Sequence, residues 1–471
     1  MRNAEPLWTH VEARQAEFFA LADQVFDTPE TLYAETRSAA AHRAALEAQG
    51  FRVTQGPAGI PTAVIGEAGE GGPVIAILGE YDALPGLSQK PGVAEPAPLE
   101  AGGNGHGCGH NVLGAAALLA ATAVKDWLAE TGIAARVRYY GCPAEEGGAA
   151  KTFMVRDGLF DDIDAALSWH PACVTGVFAG GSLANARIDF TFHGKAAHAA
   201  AAPELGRSAL DACELMNIGV NYLREHIPDG CRVHYAYLDA GGPAPNVVQA
   251  EATLRQLIRA RDLPELQGLV ARVEKIAEGA ALMTETRVES RVFSGVSNLL
   301  ANGAMNGAMQ IQLDRLGPVP FDAGDRAFAE AIRATLGPED IATPFRQLGM
   351  TPDPDMPLCD FVFPAERAAG GFGGSTDMGD VSWAAPTAQA WVATWAMGTA
   401  FHTWQVVAQG KSGAARKGMV HAAKALAATA GALIEDPALL AAAQDEHRRA
   451  LAATPYACPI PPEATPPLPA A

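Results

Sequence analysis

Short apolar runs alternate with longer helical stretches through the first part of the chain. Residues 62–65 (TAVI), 74–79 (VIAILG), 136–141 (RVRYYG) and 165–169 (AALSW) read as strands. Residues 111–130 read as a helix, opening on the apolar run NVLGAAALLAATAV, which is too short for a bilayer and fits a buried core helix. A strand–helix–strand rhythm predicts a mostly parallel sheet with helices on its faces. From about Asn185 the texture changes. ARIDFTFHGK alternates like a half-exposed strand, and SALDACELMNIGVNYLREHI is amphipathic at helical spacing. RVHYAYLDAG and AEATLRQLIRAR alternate again, and LPELQGLVARVEKIAEGAALM is a second amphipathic helix. The order β-α-β-β-α-β is that of a small split βαβ unit. The pattern divides the chain into 1–184, an inserted α+β unit at 185–296, and 297–471, where it returns to the first α/β layer near Ser297. The tail from Pro455 is proline-rich and is expected to be extended.

Composition narrows the class. The chain has 471 residues and is 49% hydrophobic, enough for a large core and two domains. The formal net charge of -19 argues against nucleic acid or an anionic membrane as partner. Seven cysteines (Cys108, Cys142, Cys173, Cys213, Cys231, Cys359 and Cys458) are odd in number and irregular in spacing, unlike a disulfide framework. The first residues carry acidic groups and no continuous apolar stretch, so no signal peptide is read there, and a cytoplasmic location is expected.

The polar clusters fall just after strands. GEYDALPG follows VIAIL, CPAEEGG follows VRYYG, and His170-Pro171 follows AALSW. Residues 103–110 read GNGHGCGH and lead into the long helix. In open α/β sheets ligands sit beyond the carboxyl ends of the strands, so these clusters are expected to converge. Cys108 and His110 supply a thiolate and an imidazole, which suit zinc and related divalent ions. Glu145 and Glu146 read either as a solvated acidic loop or as one metal ligand beside one proton acceptor; their small, apolar flanks favour the second. His170 and His402, each taken alone, fit a packed histidine as well as a ligand. Asp82 fits a carboxylate that orients a ligand histidine. Cys108, His110, Glu146, His170 and His402 together exceed the four donors of a closed structural zinc site, and the surplus suggests two metals with a shared ligand.

GEYDALPGLSQ, GNGHGCGHNVLG, GCPAEEGG, GKAAHAAAAPELGRSALDA, PNVVQAEA, GSTDMGDVSW and GTAFHTWQ resemble the binuclear metallopeptidases that include aminoacylases, carboxypeptidase G and the auxin-conjugate amidohydrolases. The resemblance implies a zinc-peptidase-like α/β catalytic domain with an inserted dimerisation (lid) domain. It implies hydrolysis of p-aminobenzoyl-glutamate or a similar N-acyl amino acid by metal-activated water, with another N-acyl amino acid, a dipeptide or a non-catalytic role in a heteromer as alternatives. It puts Cys108 on the metal-bridging position, His110, Glu146, His170 and His402 on the other ligand positions, and Glu145 on the general base. His198 falls on a lid histidine that reaches a partner's site, and Asn246 and Arg259 on substrate-binding positions. Two divalent ions per chain follow: ligand softness favours zinc, while the resemblance points to manganese. A homodimer is expected; the alternative is a heteromer with a paralogous chain.

Overall fold

The computed structural model describes residues 4–179, 181–364 and 374–469. Its twelve strands, among the described residues, are β1 Arg52–Gln55, β2 Val64–Glu70, β3 Val74–Glu80, β4 Ala135–Cys142, β5 Ala165–Ala172, β6 Thr175–Val177, β7 Ala184–His193, β8 Arg232–Asp239, β9 Glu251–Ala260, β10 Arg287–Val296, β11 Val362–Phe363 and β12 Thr387–Ala393. Eight form one sheet in the order β1-β2-β4-β3-β5-β12-β6-β11. The expected parallel arrangement holds at its centre, where β4, β3, β5 and β12 run in one direction. Antiparallel strands flank that centre: β1 and β2 on one side, β6 against β12 on the other. The short link through Pro57–Gly59 allows the first of these, because antiparallel neighbours need no long crossover. The stretch read as a strand from residue 62 begins at Val64 and continues to Glu70.

Every residue of β3 is buried, as an apolar strand covered on both faces requires. The helix His110–Thr131 packs between the helices Glu5–Phe26 and Gly413–Glu435 on one side of this sheet. It is long and apolar enough to cross a membrane by length and composition, and most of it lies inside the protein. Leu118 and Leu119 are fully buried there, each stabilising by about 2 kcal/mol.

The remaining strands form an antiparallel sheet in the order β10-β7-β9-β8. Ile188, Phe190 and Phe192 of β7 and Leu254 and Ile258 of β9 point into a separate core with the helices Ala209–Leu223 and Leu263–Thr284. Both helices start on side-chain caps: Ser208 accepts from the Asp211 N–H and Asp262 from the Glu265 N–H, each worth about 1 kcal/mol. The alternate residues lie on the other face. There Asn185 is opposite Arg259, Arg187 opposite Leu257, and Asp189 opposite Arg255. Asn185, Arg187 and Arg259 from this face line a cavity against the carboxyl ends of the large sheet.

The chain leaves β10 at a tether. The Ser297 N–H and hydroxyl donate to Asp380 at 3.0 and 2.8 Å, and Asp380 also accepts from Thr152 and Tyr456, both at 2.8 Å. Residues 454–469 contain neither helix nor strand, as the prolines require, and Ile460 among them is buried.

Candidate metal centre

Several of the donor side chains stand near the ends of strands in the parallel centre, while Cys108 and His110 stand where the loop enters the helix His110–Thr131. β3 ends in Glu80, with Asp82 just beyond; β4 leads into Glu145 and Glu146; His170 lies near the end of β5. His402 follows β12 and adopts φ 61, a left-handed conformation costing about 1–3 kcal/mol for a residue with a side chain. Its N–H donates to the Gly107 carbonyl at 2.8 Å, which brings the imidazole beside the Cys108 loop. That approach needs glycine: a Cβ on Gly107 would lie 2.4 Å from a Leu87 methyl and 3.4 Å from the His402 Cα. Gly109, at φ 75, makes the left-handed turn that starts the helix on His110.

Among the described residues the donor atoms fall into three triads, two that share Cys108 and a third of Glu80, His110 and Glu145. Those of Cys108, His110 and His170 lie within 4.8 Å of one another, and so do those of Cys108, Glu146 and His402. Cys108 Sγ is 3.5 Å from His170 Nε2, and His402 Nε2 is 3.2 Å from Glu146 Oε2. Backing groups turn the imidazoles. His110 Nδ1 donates to Asp82 Oδ1 at 2.8 Å and His170 Nδ1 donates to the Pro171 carbonyl at 2.7 Å, so Nε2 of each faces the sulfur. Asp82 Oδ2 accepts the Glu146 N–H at 2.9 Å.

Electrostatics separates the two glutamates. Burial, together with the charges of Glu80 and Glu146, holds the Glu145 carboxyl well above the usual range. Burial opposes ionisation of Glu146 too, but the His402 hydrogen bond and the His110 charge bring it down to about 2. Burial pulls His170 down to about 4, which leaves it neutral and able to ligate. Burial opposes a charge on His110, yet the Asp82 carboxylate holds it well above the usual imidazole range. Burial pushes the Cys108 thiol up, so a cation is needed to hold it as thiolate.

The residues present fit a metal. Glu80 Oε2, His110 Nε2 and Glu146 Oε1 are buried without a hydrogen-bond partner, and Glu80 Oε2 and His110 Nε2 are 3.3 Å apart without hydrogen-bond geometry. Orphaned buried donors and acceptors of this kind are costly, and a shared cation satisfies them.

Six residues singled out in the sequence thus come together: Cys108, His110, Glu145, Glu146, His170 and His402. Asp82 stands behind His110. Arg259 lines the cavity and donates to Ser375 Oγ at 2.8 Å. His198 and Asn246 do not reach it. Both are exposed on the smaller sheet's unit, where Ala199 N–H donates to the Asn246 carbonyl at 3.0 Å. His198 Nδ1 accepts from the Ala200 and Ala201 N–H groups at 3.2 and 3.1 Å, leaving Nε2–H as an outward donor.

Sequence reasoning missed several residues. Lys151 is fully buried, with Nζ 2.7 Å from Glu80 Oε1 and 2.6 Å from Asp377 Oδ1. Burial opposes its charge, but Asp377 and Glu80 hold it above the usual lysine range. A lone lysine within AAKTFMV was the available signal. Arg187 also lines the cavity and donates to the Gly147 carbonyl at 2.8 Å. The cavity holds about 370 Å³, and Phe178 stacked on Trp391 at 4.9 Å gives it an aromatic wall.

Sulfur, imidazole and carboxylate donors gathered at the carboxyl ends of an α/β sheet, with a poised carboxyl beside them, are the arrangement of a metallohydrolase. The chain belongs to peptidase family M20/M25/M40, matched over residues 76–455, and is a metal-dependent hydrolase of amide bonds. It is 47% identical to one of the subunits of p-aminobenzoyl-glutamate hydrolase of Escherichia coli (strain K12), over 97% of each chain. It is 31% identical to a second subunit of that organism's p-aminobenzoyl-glutamate hydrolase, over 58% of this chain and 63% of the other. The fold is shared with the YXEP protein of Bacillus subtilis, a dinuclear metal-binding peptidase of the M20 family. The TM-score is 0.55 at 18% identity, covering 88% of this chain and 98% of that one.

Proposed function

We propose that this chain hydrolyses p-aminobenzoyl-glutamate, or a similar N-acyl amino acid, at a centre of two divalent ions. The observation that carries the reading is the membership of Cys108 in two of the three donor triads, with Glu145 on the same cavity wall. One ion is assigned to Cys108, His110 and His170, the other to Cys108, Glu146 and His402. Bound there, the ions polarise the amide carbonyl and ease deprotonation of water. Glu145, whose proton affinity is raised, takes the proton from the attacking water and delivers it to the departing amine. Arg259 grips the substrate carboxylate through its guanidinium fork. Asp82 keeps His110 oriented. Sulfur and nitrogen donors favour zinc, with manganese the alternative.

Residues 185–296 are assigned the role of lid and dimerisation domain. β8 is an edge of its sheet, and Tyr235, Tyr237 and Leu238 on it are exposed, as are Ile218 and Tyr222 on the neighbouring helix. An exposed apolar strip on a free edge suits pairing with a second copy or a paralogous chain. A partner would also bring His198 and Asn246 to this cavity, where the His198 Nε2–H can stabilise the oxyanion of the tetrahedral intermediate. The intact donor set disfavours a purely structural role. Free cysteines among the described residues and the acidic balance suit the cytoplasm.

Singly expressed, metal-reconstituted protein should release p-aminobenzoate from p-aminobenzoyl-glutamate and hold two ions by elemental analysis, and Cys108→Ala should lose both. A panel of N-acyl amino acids and dipeptides with no turnover on any member would sink the reading.

A further inference from the structure

On the cavity-facing side of the smaller sheet, three arginines stand in close register, and they are treated differently. Arg255 is neutralised: its Nε and Nη2 donate to Asp189 at 2.6 and 2.9 Å. Arg187 and Arg259 are not. Arg187 donates to the Gly147 carbonyl, and Arg259 to Ser375 Oγ, both at 2.8 Å. Neither lies within 4.0 Å of a carboxylate among the described residues, although both are only partly exposed and line the same cavity. Burial and the neighbouring Arg259 and Arg255 charges pull the Arg187 guanidinium below its usual value, with the Glu145 and Glu146 charges offsetting part of this, and burial lowers Arg259.

Two part-buried cations on one wall with no carboxylate in salt-bridge range are costly unless a ligand brings anions into contact with them. The register sets their spacing. Asn185 pairs with Arg259, and Arg187 is two residues further along β7, so the two side chains share a face as diagonal neighbours about 7–8 Å apart, with their Cβ atoms somewhat closer. Two guanidinium groups converging from that spacing can take the two carboxylates of one acidic amino acid. We infer that Arg187 forms a second carboxylate subsite, distinct from the one assigned to Arg259, which selects substrates whose amine-side residue is a dicarboxylic amino acid. Arg259 takes the main-chain carboxylate and Arg187 the side-chain carboxylate. The assignment of Arg259 rests on the proposed amide hydrolysis; the charge selection by Arg187 is tested separately from it.

The test uses metal-reconstituted full-length chain and two matched probes, L-glutamate and L-glutamine, which differ at the side-chain terminus. Calorimetry should show wild type favouring glutamate by roughly tenfold or more, the scale of one charge-assisted pair. Arg187→Gln keeps a donor for the Gly147 carbonyl and removes the charge. It should abolish the preference, with a loss on glutamate far larger than any loss on glutamine. Kinetics on N-acyl-glutamate and N-acyl-glutamine should repeat the pattern in kcat/KM. Equal losses on both probes would mean that Arg187 merely holds the Gly147 loop, and a wild type indifferent to side-chain charge would likewise overturn the inference. A glutamate preference through Arg187 without hydrolysis of any N-acyl amino acid upholds this subsite and overturns the proposed reaction. Hydrolysis without acid preference does the reverse, and neither binding nor hydrolysis overturns both.

Discussion

Asp82 and His110 meet at 2.8 Å, and the other oxygen of the same carboxylate receives the Glu146 N–H at 2.9 Å. One side chain therefore sets a donor in each of the two triads that share Cys108. Asp82→Ala is expected to weaken metal binding by roughly 10–100-fold, the usual cost of removing a group that orients a ligand histidine. Competition against a chromophoric chelator measures this. Unchanged affinity would show that helix packing alone orients His110.

Glu145 and Glu146 are neighbours with opposite proton affinities, and their variants should separate. Glu145→Gln is expected to keep its metal and lose roughly two to four orders of magnitude in turnover, the range of general acid–base catalysis. Glu146→Gln should lose metal instead. Elemental analysis beside steady-state kinetics distinguishes the two, and the reverse pattern would exchange the roles.

Glu35 is fully buried beneath the site, one oxygen accepting from the Tyr33 and Ala144 N–H groups at 2.9 and 3.2 Å. Burial and the Asp82 charge push its carboxyl up from 4.5 to about 8. Between those values the folded chain holds a proton that the unfolded chain has released. Folding then takes up a proton, so this stabilising contribution is lost as pH rises through the window, and the loss is complete above about 8. Glu35→Gln keeps the accepting oxygen and cannot ionise. In metal-free protein it should flatten the fall in urea stability across that window; slopes equal to wild type would acquit Glu35.

His198 stands exposed with Nε2–H directed outward and does not line its own chain's cavity. Glu145→Gln and His198→Ala chains, each inactive alone, should recover activity when mixed and allowed to exchange. A mixed dimer has one site with both residues intact. Exchange verified by mass spectrometry without recovered activity would exclude supply from a partner.

Much of the centre was legible because its donors cluster in glycine-rich segments beside apolar strands, where chemistry is the simplest reason for polar side chains. GNGHGCGH and CPAEEGG announced themselves in this way. Glu80, Lys151 and Asp377 did not, because a single charge in an apolar segment shows its partners only after folding brings together residues 71 and 226 positions apart (151 − 80 and 377 − 151). Arg187 was hidden differently. On an alternating strand an arginine reads as solvent-facing, and the cavity appears only when a second layer covers that face. The split βαβ order of the smaller unit was readable from its periodicity. The antiparallel flank of the large sheet was not, because RVTQ is too short and too polar to declare a strand.

The sulfur shared by the two triads also shapes how such a centre fails. With separate ligands for each ion, damage to one donor leaves a half-populated site. On the proposed two-ion reading, alkylation, oxidation or capture by a soft foreign ion at that single atom withdraws a ligand from both positions together. Inactivation by thiol reagents should therefore be all-or-none per chain, with bound metal as the shield that slows it.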